Sequence, residues 1–99
     1  MLKKDLLELC LLQLLSGGDK YGYEVLAPLR AAFPDTQESA IYALLRGLGK
    51  EKLTEWYMAP GDGGPDRKYY KLTPAGQERL GELREDWRHM RDAIASFGL

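Results

Sequence analysis

The sequence predicts a mainly α-helical chain with one small β-hairpin, an α+β fold in the order helix, helix, helix, hairpin, long helix. Three observations predict it. Apolar residues recur at helical spacing in four separate segments. The period falls to 2 on either side of Pro60-Gly61-Asp62-Gly63-Gly64-Pro65, a run that no helix accommodates. Thr73-Pro74 then supplies a helix N-cap followed by proline at the first helical position.

The first helix covers residues 5–16. Leu6, Leu7, Leu9, Cys10, Leu11, Leu12, Leu14 and Leu15 make it apolar around most of its circumference, so it is buried on more than one side. In so small a chain, one side can face its own core and another a second subunit. Gly17-Gly18 ends it. The second helix runs over about residues 21–33 on the stripe Val25, Leu26, Leu29, Phe33. Pro28 lies inside it and either kinks it or lowers its stability. Pro34-Asp35 breaks the chain. The third helix begins near 36 or 37 and ends near 51. Ile41, Leu44, Leu45 and Leu48 form its apolar face, opposite Glu38, Ser39, Tyr42, Arg46 and Lys50. Strand formers fill 53–59 and 67–73. On the second strand Lys68, Tyr70 and Leu72 share one side, with Tyr70 and Leu72 inward. Arg67, Tyr69, Lys71 and Thr73 share the other.

Composition excludes several classes of function. Ninety-nine residues make one compact unit, with residues 1–73 as one part and the helix of 74–99 appended. Cys10 is the single cysteine, so no internal disulfide forms, which fits a reducing cytoplasm. No apolar run is long enough to span a bilayer. The opening Met1-Leu2-Lys3-Lys4 leads into Asp5, Glu8 and Gln13 without a clean cleavage site, so no secretory signal is expected. One His, one Cys, no phosphate-binding glycine loop and no nucleophile–base set argue against an enzyme, and no cofactor is expected. Glu85 and His89 stand one turn apart without a third ligand and read as a surface pair, not a metal site.

Two helices joined by a short break and followed by a hairpin make a winged helix-turn-helix. In that arrangement the third helix of this chain enters a DNA major groove and the hairpin reaches the backbone or the adjacent minor groove. Arg67, Lys68 and Lys71 on the hairpin, with Lys50 and Lys52 leading into it, are the residue types that neutralise phosphates; Tyr42 and Tyr69 can donate hydrogen bonds to them. Glu38, Ser39, Tyr42, Arg46 and Lys50 are the exposed candidates on the third helix. Of Tyr21 and Tyr23, one reaches a phosphate and the other packs inside; spacing does not decide which, and Tyr21 is counted with the contacts. Against all this stands the charge: net −1, with ten Lys/Arg and ten Asp/Glu in residues 1–73. There is no global basic footprint, so DNA binding must rest on a local patch. For Arg67, Lys68 and Lys71 the plainer role is a solvated strand edge that blocks sheet pairing.

Tyr21-Gly22-Tyr23-Glu24, Ile41-Tyr42-Ala43-Leu44-Leu45-Arg46 and Arg67-Lys68-Tyr69-Tyr70-Lys71-Leu72-Thr73-Pro74-Ala75-Gly76 resemble, in order and spacing, the three signatures of PadR-type transcriptional regulators. The last block is the most specific. The short final helix resembles the compact branch of that family. The resemblance implies a homodimer that binds a palindromic operator in double-stranded DNA, usually represses transcription, and responds to a small aromatic or phenolic compound. This chain departs from the pattern at Ser39-Ala40, where members often carry Gly-Thr. It departs again at Lys52, where a lysine replaces the glycine that usually follows the third helix.

Dimerisation has its own signal. Leu80, Leu83, Trp87, Met90, Ile94 and Phe97 are spaced 3, 4, 3, 4, 3 between charged residues, the rhythm of a helix packed along one narrow stripe. With Leu6 of the first helix they are the expected subunit contacts. Trp87 has two readings: an aromatic of that seam, or a platform for a flat ligand near the two-fold axis, walled by Leu9 and Leu83. The rival function is a protein-interaction adaptor that keeps the winged shape without binding an operator; the neutral charge, Glu38 and Ala40 favour it.

Overall fold

The computed structural model describes residues Met1–Leu99. The elements are α1 (Lys3–Ser16), β1 (Lys20–Tyr21), α2 (Gly22–Ala32), α3 (Glu38–Lys50), β2 (Thr54–Gly61), β3 (Gly64–Leu72) and α4 (Pro74–Ala95). All four expected helices form, and α2 continues through Pro28. No helix is long and apolar enough to cross a membrane.

The wing differs from the expected two-stranded hairpin. The sheet has three strands in the order β1-β3-β2. Lys20 pairs with Tyr70 and Tyr21 with Tyr69, both antiparallel. Two residues are too few to show a period of 2, so β1 left no pattern to read. The hairpin loop is also shorter than expected, because the strands absorb Pro60, Gly61, Gly64 and Pro65 and leave Asp62-Gly63 as the turn. Pro60 is tolerated because β2 is an edge strand and the register shifts between Ala59 and Gly61. Gly63 takes φ +68°, which its missing Cβ permits.

The core draws on every helix and on one strand residue. Leu11, Leu12 and Leu15 of α1 meet Val25, Leu26 and Leu29 of α2, Ile41, Leu45 and Leu48 of α3, and Leu72 of β3. Leu80 and Leu83 of α4 complete it at 2% exposure each. That corrects their assignment to a subunit seam: the first turns of α4 lie on the chain's own α1. An ion pair supports the same packing, with Arg79 Nε donating to Glu8 Oε1 at 3.2 Å. The bond to Glu8 holds the Arg79 guanidinium above its ordinary pKa.

Two local devices fix the angles between elements. Thr73 caps α4, its Oγ1 accepting from the Gly76 amide at 3.0 Å and donating to the Lys52 carbonyl at 2.7 Å. A Cβ at Gly76 would stand 2.0 Å from the Leu53 carbonyl oxygen, so only glycine lets α4 start there. The second device ends α3. Lys52 N donates to Gly49 O at 3.0 Å and Leu53 N to Leu48 O at 2.9 Å, the paired bonds of a Schellman motif. Its left-handed position is Lys52, at φ 60° the only non-glycine residue with positive φ.

Candidate nucleic-acid interface

The outward stripe of α3 carries Ser39, Arg46 and Lys50 exposed and Tyr42 half-buried. These positions recur three or four residues apart, so one face presents all of them. Between the C-terminal half of α3 and the wing lies an open cleft of about 650 Å³. Arg46 and Lys50 line it from the helix, Lys52 from the turn, and Lys68, Trp56 and Tyr70 from the sheet. Four cations line it, and Glu55, the one acidic residue along it, turns its side chain by strand alternation to the other face. The chain's charge is balanced overall, yet this cleft is locally basic. Burial pushes the Tyr70 hydroxyl above its ordinary pKa, and the Arg46 charge partly offsets it.

Sheet register divides the wing's candidates between two faces. Trp56 is opposite Tyr70 and Met58 opposite Lys68, so these four share the cleft face. Lys68 Nζ rests 4.2 Å from the centroid of the Trp56 ring. Tyr57 is opposite Tyr69, Ala59 opposite Arg67 and Glu55 opposite Lys71. By alternation Arg67, Tyr69 and Lys71 therefore lie on the far face, away from α3. There Arg67 stacks over Tyr21 at 4.3 Å, Tyr21 meets Tyr69 edge-on at 5.9 Å, and Tyr69 stacks on Tyr57 at 5.6 Å. Tyr57 donates to Asp19 Oδ2 at 2.7 Å, and that bond raises the Tyr57 pKa. The cluster ties the wing to the strand that leads into α2.

Other candidates find local partners. Glu38 is within 3.7 Å of Arg30 on α2, so its charge is partly offset where α3 begins. Tyr42 sits over the start of α2, where a Cβ added to Gly22 would lie 3.5 Å from its hydroxyl. Tyr21 is half-buried in the wing cluster, whereas Tyr23 is 65% exposed. Trp56 escapes the sequence reading. Its signal was the alternation of Thr54, Trp56 and Met58, which puts a large aromatic on the face of Lys68.

A second concavity, about 690 Å³, lies between α1, α2 and α4. Leu6, Leu9, Leu14, Pro28, Phe33 and Trp87 supply its apolar walls, and Gln13, bonded to Arg84, part of its rim. Leu9 and Trp87 share it as expected. Leu83 does not: one turn earlier it is rotated into the core, and it borders a different hollow beside Met90. Cys10 also borders the groove, and burial raises its thiol pKa, which makes it a poor nucleophile.

A helix-turn-helix whose second helix shares a basic cleft with a β-wing defines a winged-helix DNA-binding protein. The chain belongs to the PadR-like family of transcriptional regulators, whose family model matches residues 11–82. Its fold is similar to that of a PadR-like transcriptional regulator from Bacillus cereus, at 35% identity and a TM-score of 0.86 over 93% of this chain and 90% of that one. A Streptococcus transcriptional regulator matches at 34% identity and a TM-score of 0.86, over 97% and 95%. A Lysinibacillus sphaericus protein named Uncharacterized protein X is 30% identical over 94 residues, 92% of this chain and 86% of that one. The family is one of regulators, not enzymes.

Proposed function

We propose that the chain acts as a homodimeric repressor that binds a palindromic operator and is released by a small planar or phenolic ligand. One observation carries the pairing. The outer half of α4 leaves Trp87 and Ile94 at 39% and 45% exposure, and the residues after it leave Phe97 and Leu99 at 85% and 91%, beside an open apolar groove on α1 and α2. Stripe and groove on one chain are self-complementary, so a two-fold axis lets each cover the other. Leu6, Trp87, Met90, Ile94 and Phe97 are the proposed contacts. Leu9 and Trp87 are the proposed ligand walls, where flat molecules lie against the indole. The proposed DNA contacts on the cleft side are Ser39, Tyr42, Arg46, Lys50 and Lys68. Two such heads, spaced by one helical turn or more, read the two half-sites.

The decisive experiment pairs sedimentation with DNA binding. Wild type is expected to sediment as a dimer and to bind a duplex selected from a random pool, with affinity falling steeply as salt rises. Ile94→Asp with Phe97→Asp removes about 1.3 side chains' worth of exposed apolar surface per subunit. At roughly 2 kcal/mol per buried side chain, that weakens pairing by about 5 kcal/mol over both copies. The variant should sediment at 11.2 kDa, keep its helical circular dichroism, and lose the duplex. A wild-type monomer, or a variant that stays dimeric, overturns the pairing. The balanced charge favours the adaptor instead, and duplex binding that is absent or indifferent to salt supports that reading.

A further inference from the structure

We infer that Trp56 touches the DNA itself, as an apolar wedge on the wing that packs against the sugar–base edge of the minor groove beside the half-site. The inference rests on the DNA-binding reading and adds a residue that neither charge nor helix pattern marks. Trp56 is 57% exposed and Met58, two residues on, 53%. Large apolar side chains exposed side by side point to a surface that is covered in use. Both lie on the sheet face that carries Lys68, which lines the cleft with Arg46, Lys50 and Lys52. The charge there complements a polyanion, which makes DNA the occupant. Lys68 Nζ, 4.2 Å from the indole centroid and 5.6 Å from that of Tyr70, is held above the ring. A cation fixed over an aromatic face delivers both to adjacent parts of a nucleotide, the ammonium to phosphate and the ring to sugar and base edge. The net charge points the same way. With only four cations in the cleft and none in excess over the chain, phosphate contacts supply a limited attraction, and apolar contact must supply more of it than in a strongly basic protein.

The test compares Trp56→Ala, Trp56→Phe and Lys68→Gln with wild type, on a duplex that wild type has selected from a random pool, across a salt series. Trp56→Ala is expected to weaken binding about tenfold with an unchanged salt slope, because no phosphate contact is lost. Lys68→Gln should weaken it with the slope reduced by about 1. Trp56→Phe, which keeps a ring on the same strand, should fall between wild type and alanine and guards against an effect on folding. Incorporated 5-fluorotryptophan gives two fluorine resonances, and that of Trp56, identified by its loss in Trp56→Phe, should shift on adding the duplex. Unchanged affinity in Trp56→Ala, or an unmoved Trp56 resonance, overturns the inference. So does a salt slope reduced as in Lys68→Gln, which would mean that Trp56 acts only by holding the lysine. If wild type selects no duplex with salt-dependent affinity, the DNA-binding reading itself fails first.

Discussion

Lys52 sits where the backbone calls for glycine, and replacing it separates two effects that usually travel together. At φ 60° a side chain crowds its own carbonyl, at a cost of about 1–2 kcal/mol. Glycine removes that cost but gives back about 0.5–1 kcal/mol through the freedom it gains in the unfolded chain. Lys52→Gly is therefore expected to stabilise the fold by about 1 kcal/mol. A chain of this length unfolds with about 0.2 kcal/mol per kelvin of entropy, so the melting temperature should rise by about 5 °C. Lys52→Ala is the control, since it removes the charge and keeps the strain, and it should melt with wild type. Binding should sort the variants differently. Lys52 lines the basic cleft, so Gly and Ala should weaken duplex binding equally, each reducing the salt slope by about 1. The assay is thermal unfolding by circular dichroism at one protein concentration, followed by a salt series on the selected duplex. A Lys52→Gly protein no more stable than Lys52→Ala refutes the strain; undiminished binding in both refutes the cationic role. If both effects appear, Lys52 is a residue kept against its local stability because its charge is used.

Two further outcomes test the frame that holds the site. Gly76→Ala puts a Cβ 2.0 Å from the Leu53 carbonyl oxygen, which already accepts the Thr73 amide, so neither side yields. It should cost about 3 kcal/mol or more, a fall of roughly 15 °C, and a melt within a few degrees of wild type would disprove the close approach. Tyr57→Phe tests the wing cluster through pH. The bond to Asp19 favours the neutral phenol, so the folded pKa lies above the unfolded value near 10. Its contribution is complete below pH 10 and is lost as pH rises through the raised value. Wild type should therefore lose its advantage over Tyr57→Phe above about pH 10, read as converging urea midpoints. A difference that stays constant to pH 11.5 would show that the bond does not govern the titration.

The fold was legible wherever one residue's neighbours enforced a period. Ile41, Leu45 and Leu48 sit on the stripe their spacing predicts, and Thr73-Pro74 does cap α4. What escaped depended on long-range pairing. Lys20 and Tyr21 become a strand only because β3 offers them a free edge, and a two-residue segment carries no pattern of its own. The division of Arg67 and Lys68 between opposite faces was legible in alternation, and so was the inward face, because Tyr70 and Leu72 carry its apolar side chains. Charge pattern marks Lys68 but not the ring beneath it, so Trp56 stands out only once the register places the two side by side. The seam in α4 misled for a physical reason. A 3,4 repeat says that a stripe is buried against a helix but not whose helix, and Leu80 and Leu83 satisfy it within the chain, on α1.

On the proposed reading, that divided stripe suits α4 to transmitting a signal. Its inner turns are fixed to the winged unit by Leu80, Leu83, the Arg79–Glu8 pair and the tight start at Gly76. Beyond Arg84, Trp87 lines the groove with α1 and α2, and Ile94 and Phe97 stand exposed. The helix is 22 residues, about 33 Å, so it behaves as a stiff arm clamped at one end. On the proposed two-fold arrangement, the partner's position is set by how the outer turns and the groove beside Trp87 fit together. The molecule is 51 Å in its longest dimension, so α3 can lie some 25 Å from that axis. A rotation of about 10° there displaces a reading helix by about 4 Å, more than the roughly 3.4 Å between successive bases. On the proposed ligand reading, a planar molecule wedged against Trp87 thus needs only a small change in packing to move two half-site contacts out of step. Because Leu80 and Leu83 are core, the movement has no slack to be lost in at the clamped end. The ligand's preference for the rotated form is then the free energy by which it weakens DNA binding, and bound duplex must weaken ligand binding by the same factor. Measuring both couplings on one protein decides the matter: equal factors support the lever, whereas a ligand whose affinity ignores saturating duplex would have no hold on α4.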